Sequence, residues 1–211
     1  MFTEVLPGKT KAVLASLEKS DIIQNSYLGG GTALALQLGH RISYDLDFFT
    51  PLEFDEKLIL PQLDSMGLDF TLEKIAWRTV SGKYDNVLFS LFYYNYPLLF
   101  EPENLGKINV IESRDIGAMK IAAIAGRGVK RDFIDLYFIC RKICSLYDLI
   151  TMYDKKFDNL AANAVHILKS LEYFEDAEKD QIPEMLLETD WGNVKEFFRN
   201  EVKNITRLVL S

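Results

Sequence analysis

One stretch constrains this chain more than any other: Tyr27-Leu-Gly-Gly-Gly-Thr-Ala-Leu-Ala-Leu-Gln-Leu-Gly-His-Arg-Ile-Ser-Tyr-Asp-Leu-Asp-Phe-Phe49. A glycine-rich turn opens a short helix, and a strand follows in which aspartates alternate with bulky apolar residues. Successive side chains on a strand point to opposite faces, so Asp45 and Asp47 share one face while Leu46 and Phe48 share the other. Two carboxylates side by side repel each other. A cation between them removes that cost, and Mg²⁺ is a hard ion that takes oxygen ligands and substrate phosphates. Upstream, the glycines let the backbone approach a ligand closely, and the helix N-terminus behind them favours an anion. The segment therefore implies phosphate and metal together. Its bland alternative is a solvated strand edge behind an ordinary glycine turn.

The rest of the composition narrows the class. With 211 residues, 48% of them hydrophobic and 26% charged, the chain is long enough to bury a core of its own. A net charge of -7 argues against a nucleic-acid binder held by its whole surface, though a local basic patch stays open. Met1 to Lys19 carries Glu4, Lys9, Lys11 and Glu18 and does not read as a signal peptide. No apolar run reaches the length of a membrane span; Leu88 to Phe100 is short and aromatic, as in a buried strand. Cys140 and Cys144 read as reduced structural thiols, and the expected location is cytoplasmic, with no membrane partner.

Periodicity and turn chemistry predict helices over 7–19 and from the glycines to Gly39, then a strand from Tyr44 to Phe49 stopped by Pro51. Asp55 is expected to cap a helix through Met66, ended by Gly67. Asp69 to Thr79 and Asn86 to Tyr94 read as a hairpin with Gly82 in its turn, and Lys107 to Glu112 as a further short strand. Ser113 suits the N-cap of a helix over 114–125, broken by Gly126-Arg-Gly128. A helix follows from Asp132 to Ile143, and the pattern is helical from Leu146 onward. This order predicts an α+β (α/β) fold: a small mixed sheet flanked by helices over 1–145, and an α-helical C-terminal part over 146–211.

Beyond the aspartate pair, several residues carry candidate chemistry. Thr32 can cap its helix or bind phosphate; capping is the default. Lys120 lies in the apolar run Ile116-Gly-Ala-Met-Lys-Ile-Ala-Ala-Ile-Ala-Gly126 and either snorkels to solvent or points into a site. Arg127 lies two turns on along the same face, and two aligned cations can grip a triphosphate. Asp132 and Asp135 share a face of the next helix, although acids in a first turn also need no function at all. Lys120, Arg127, Lys130 and Arg131 together form a small basic patch around one helix–turn–helix junction. His40 and His166 lack metal-ligand spacing with the cysteines, so no zinc site is indicated.

The blocks Gly-Gly-Thr-Ala-Leu, His-Arg-Ile-Ser-Tyr-Asp-Leu-Asp-Phe-Phe, Asp-Ile-Gly-Ala-Met-Lys-Ile-Ala-Ala-Ile-Ala-Gly-Arg-Gly and Lys-Arg-Asp-Phe-Ile-Asp-Leu-Tyr occur in that order over 27–140. Together they resemble the nucleotidyl transferase AbiEii/AbiGii toxin family, whose core is similar to that of the DNA polymerase β-like nucleotidyltransferases. The resemblance implies a Mg²⁺-dependent (or Mn²⁺-dependent) enzyme that transfers a nucleotide from a nucleoside triphosphate to an acceptor, tRNA among the options. It also implies the toxin role of a toxin–antitoxin or abortive-infection module, with a cognate antitoxin encoded nearby. Carried over by position, Gly30, Gly31 and Thr32 form the nucleotide-binding turn and Asp45 with Asp47 holds the metal. Lys120 and Arg127 meet the phosphates, and Asp132, or else Asp135, is the further essential acid. One departure stands out. Many polymerase β-like enzymes carry a third carboxylate on a later strand, and Val87-Leu-Phe-Ser-Leu-Phe-Tyr-Tyr94 has none. The alternative is therefore a nucleotide- or partner-binding protein with weak catalysis.

Overall fold

The computed structural model describes residues 1–66, 69–158 and 160–210, without the side chains of 160–162 and 208–210. Among the described residues it forms seven strands and nine α-helices: α1 (Gly8–Leu17), β1 (Tyr27–Leu28), α2 (Gly30–Leu38), β2 (Leu46–Thr50), α3 (Glu56–Asp64), β3 (Phe70–Ala76), β4 (Thr79–Tyr84), β5 (Val87–Tyr93), β6 (Glu103–Leu105), β7 (Ile108–Val110), α4 (Ser113–Arg127), α5 (Lys130–Lys142), α6 (Leu146–Phe157), α7 (Leu160–Ser170), α8 (Glu175–Glu178) and α9 (Trp191–Leu210). They fall into two compact units, Met1–Pro97 with Glu101–Glu112, and Leu98–Phe100 with Ser113–Ser211. The division lies at the end of β7, ahead of the 145/146 boundary expected from the sequence.

The first unit is built on one mixed sheet of strand order β3-β4-β5-β2-β1-β7-β6. β2 runs parallel to β5 and antiparallel to β1, and β1 runs parallel to β7. Alternation along β2 works as its sequence requires. Leu46 and Phe48 are fully buried, whereas Asp47 and Phe49 are half-buried on the other face. Phe89, Leu91, Val80 and Tyr84 extend the apolar face across β5 and β4, and Leu34 and Leu36 of α2 are buried with them. Burying each such side chain contributes about 1.5–3 kcal/mol.

Where the sequence predicts a two-stranded hairpin turning at Gly82, three strands, β3, β4 and β5, are found. Gly82 lies inside β4, opposite Leu72, because the ring of Phe70 occupies the space a side chain would need: a Cβ there would fall 2.4 Å from it. The turn between β4 and β5 is made instead by Asp85 and Asn86, at φ 44 and 70. Positive φ at both central residues is the two-residue hairpin geometry that matches strand twist. Asp55 caps α3 as expected, accepting from the Lys57 amide at 2.9 Å; the expected stop at Gly67 lies outside the described residues.

The second unit is helical. Gly117 of α4 has Leu149 of α6 where a Cβ would stand, 2.5 Å away, so its missing side chain lets α6 pack closely on α4. Phe133 of α5 centres an aromatic cluster with Phe174, Trp191 and Phe198 at centroid distances of 5.1, 6.0 and 5.5 Å. α4 runs through Gly126 and ends at Gly128, whose φ of 56 suits the left-handed stop. α5 starts two residues earlier than expected, at Lys130. Ser145 and Asp148 form a reciprocal capping box at the start of α6. Cys140 and Cys144 are not joined in a disulfide, and burial pushes the Cys140 thiol up. No helix among the described residues is long and apolar enough to cross a membrane.

Candidate functional site

The predicted site residues form two clusters, one in each unit. In the first, β1 leads directly into α2, and the Gly29 amide donates to the Asp47 carbonyl at 2.9 Å. This bond lays the start of α2 beside β2. Gly30, the first residue of α2, has φ 63, and a Cβ on it would stand 2.9 Å from Oδ2 of Asp47. A residue without a side chain lets the carboxylate come this close to the helix N-terminus, whose amides carry partial positive charge, and the positive φ favours glycine as well. Gly31 follows within the same first turn.

Thr32 does not cap its helix as its sequence context suggests. It is the third residue of α2, behind a cap position filled by Gly29, and it is buried. Its hydroxyl is bonded to Ser43 Oγ at 2.8 Å and donates to the Asp45 carbonyl. Thr32 thereby fixes the backbone that delivers Asp45. Ser43 is buried too and receives Arg41 Nη1 at 3.3 Å. Sequence reasoning passed over Ser43, although it stands two residues before Asp45 in the same alternating register.

The strand proper begins at Leu46, so Asp45 stands one residue ahead of it; both aspartates are half-buried. Across the parallel register, Asp47 is paired with Ser90 of β5. Among the described residues no group of three or more His, Cys, Asp or Glu clusters as metal ligands. The donor set is thus two carboxylates with a buried serine alongside. That suits Mg²⁺, which is commonly held by one or two carboxylates and completed by water and substrate phosphates.

In the second cluster, Lys120 of α4 is buried, with its ammonium 2.7 Å from Asp132 Oδ1 and 2.5 Å from Asp135 Oδ2 on α5. Arg127 Nε donates to the other oxygen of Asp132 at 2.9 Å, while the Arg127 side chain stays 57% exposed. Burial alone would raise the Asp132 carboxyl. The Lys120 ammonium and the Arg127 guanidinium outweigh it and hold the carboxyl below its ordinary value. Asp132 is therefore a carboxylate at neutral pH, and a weak base. General base catalysis wants a pKa near the working pH, so the geometry fits a group that positions cations better than one that deprotonates a hydroxyl.

The basic patch read from the sequence does not survive. Lys120 is closed in by two carboxylates. Lys130 is buried, its amide bonded to Asp180 Oδ2 at 2.9 Å and its ammonium to the Asp180 carbonyl. Arg127 and Arg131 remain on the surface. A second buried pair was missed outright. Asp115 of α4 accepts from Lys156 Nζ at 2.8 Å and from the amides of Leu99 and Phe100 at 3.0 Å. Asp115 lies in the first turn of α4, where an acid needs no distant partner to be favourable.

Comparison with known proteins agrees with this architecture. The family described as nucleotidyl transferase AbiEii toxin, type IV TA system, matches residues 12–76 and 93–205. An uncharacterized protein of Aquifex aeolicus (strain VF5) is 38% identical over 208 residues, covering 94% of this chain and 96% of that protein. Among solved structures, MenT4, a nucleotidyltransferase toxin of Mycobacterium tuberculosis H37Rv, has a TM-score of 0.59 at 16% identity, covering 93% of this chain and 84% of that one. JHP933 of Helicobacter pylori has a TM-score of 0.53 at 16% identity, with 95% and 94% covered. Both structures share the fold.

Proposed function

The chain belongs to the nucleotidyl transferase AbiEii toxin family and is a nucleotidyltransferase of that family, and from this premise we propose that it transfers a nucleotide from a nucleoside triphosphate to an acceptor in a reaction dependent on Mg²⁺ or Mn²⁺. The observation that carries the reading is the seat of Asp47: a carboxylate held against the first residue of α2 at a position whose positive φ and close approach favour glycine. Asp45 and Asp47 would hold the metal, which would supply Lewis-acid stabilisation of the charge that develops in phosphoryl transfer. The amides of Gly30 and Gly31 offer donors to phosphate oxygens, and Thr32 keeps Asp45 in place. In the reaction an acceptor hydroxyl attacks the α-phosphorus and gives up its proton to solvent, the bond to the bridging oxygen breaks and pyrophosphate leaves. Arg127, the exposed cation of the second cluster, offers its guanidinium to a phosphate group. Lys120, Asp132 and Asp135 form the buried frame that orients it.

tRNA is the first acceptor to test, and an antitoxin encoded beside this chain is the expected partner. A specific observation favours the runner-up reading, a nucleotide- or partner-binding protein with weak catalysis: Ser90 stands across from Asp47 where a third carboxylate would strengthen the metal site. Incubation with each labelled nucleoside triphosphate, Mg²⁺ and total RNA separates the two. Transfer of label to RNA supports the enzyme; triphosphate binding without transfer to any acceptor supports the binder.

A further inference from the structure

β3 is an edge strand, hydrogen-bonded to β4 on one side and to no other strand among the described residues. It is seven residues long and exposed along most of its length. Leu72, Ile75 and the turn residue Trp77 are 43%, 48% and 75% exposed. A long edge with exposed apolar side chains is a template for pairing with another strand. Natural edges are usually protected by charges and bulges, and this one has both: Glu73 and Lys74 sit at its middle, and the register against β4 slips between Leu72 and Lys74, leaving Glu73 as the extra residue.

We propose that β3 is a self-association surface whose occupant is β3 of a second copy of this chain, paired antiparallel about a twofold axis between Glu73 and Lys74. The argument is complementarity. In that register each Glu73 stands opposite the second copy's Lys74, Leu72 opposite Ile75, Thr71 opposite Ala76 and Phe70 opposite Trp77. Apolar residues meet apolar ones and opposite charges meet twice, both favourable as directly opposed pairs. The faces agree as well. Leu72 and Ile75 are partnered on β4 by Gly82 and Val80, two residues apart on one strand, so both lie on the same face of the sheet. The bulge makes the match possible, because the extra residue brings Leu72 and Ile75 onto one face and the twofold axis sets each copy's bulge opposite the other's. Slipping the register by one residue in either direction would set Glu73 against Glu73 or Lys74 against Lys74, so the charges select one arrangement. Glu73 is already 2.5 Å from Lys83 of its own sheet, which holds the carboxylate in place without covering it, since its side chain remains 40% exposed. A single added strand pair buries less than a standard interface of about 1,600 Å² in total, so the association is weak and dependent on concentration.

Sedimentation equilibrium of the full chain from micromolar to near-millimolar concentration tests this. The expected wild-type result is a weight-average mass that rises from 24.2 kDa toward twice that value. E73K and K74E, both at exposed positions, should each stay monomeric across the range, because each places like charges opposite one another twice. Mixed together, the two variants should associate, since every Lys then faces a Glu. Circular dichroism melts of the two variants should match the wild type, which separates lost association from lost folding. A wild-type chain that remains monomeric throughout, variants that associate as the wild type does, or a mixture that stays monomeric would each overturn the proposal.

Discussion

The ammonium of Lys120 and the carboxylate of Asp132 lie 2.7 Å apart, with both side chains closed to solvent. Removing one member of such a pair leaves a buried charge without compensation, at a cost of about 3–5 kcal/mol. Lys120→Ala takes the ammonium away from two buried carboxylates, Asp132 and Asp135, while Arg127 still holds Asp132, and is expected to lower unfolding stability by about 3 kcal/mol, the low end of that range, in urea titration. A change under 1 kcal/mol would show that the pair is looser than its geometry. Any loss of activity in this variant has to be read against its folded fraction.

Acid should reach the same cluster. The Asp132 carboxyl is held below its ordinary value in the folded chain, so between the folded and unfolded values the unfolded chain binds the extra proton. Stability from this group is complete above the unfolded value near 3.9 and is lost as pH falls through the folded one. Unfolding free energies measured from neutral pH downward should decline more steeply for the wild type than for Asp132→Asn once the pH drops below about 4. Parallel curves would mean that Asp132 titrates normally.

Gly30→Ala tests the seat of Asp47. The new Cβ would need the left-handed region, which costs about 1–2 kcal/mol, and would press on the carboxylate from 2.9 Å. The expected result is a modest loss in thermal melts with a large loss of transfer. Gly31→Ala, at a position without the positive φ, should keep more of both.

Asp115 and Lys156 should differ in what their removal costs. Asp115→Ala takes the acceptor away from Lys156 and from two backbone amides at once. Lys156→Met removes a buried cation but leaves the carboxylate with the Leu99 and Phe100 amides, which stabilise its charged form. Denaturant titration should therefore rank Asp115→Ala as the more damaging. The reverse order would mean that the amide bonds add little.

What the sequence made legible was local. The turn and helix from Gly29, the alternation from Leu46 through Phe49, the Asp55 cap and the helices around Lys120 and Asp132 each follow from residues close together along the chain. What escaped depends on partners far along it. Gly82 looks like a turn until Phe70 is known to lie over it. β1 is two residues long and exists because β2 and β7 flank it. Lys120 could not be assigned to solvent or to a site without its partners on α5, and the burial of Lys130 depends on Asp180, fifty positions away. Thr32 misled because capping is the usual part for such a residue, whereas here the strand behind it needed an anchor.

The most direct test of the central claim is nucleotide transfer by Asp47→Asn. Asparagine keeps the shape and removes the charge that would hold the metal. Even groups beyond a metal's direct ligands are commonly worth 10–100-fold, so transfer of labelled nucleotide to RNA in Mg²⁺ should fall by about a hundredfold or more, with an unchanged thermal melt. Transfer at the wild-type rate by a folded Asp47→Asn protein would contradict the account.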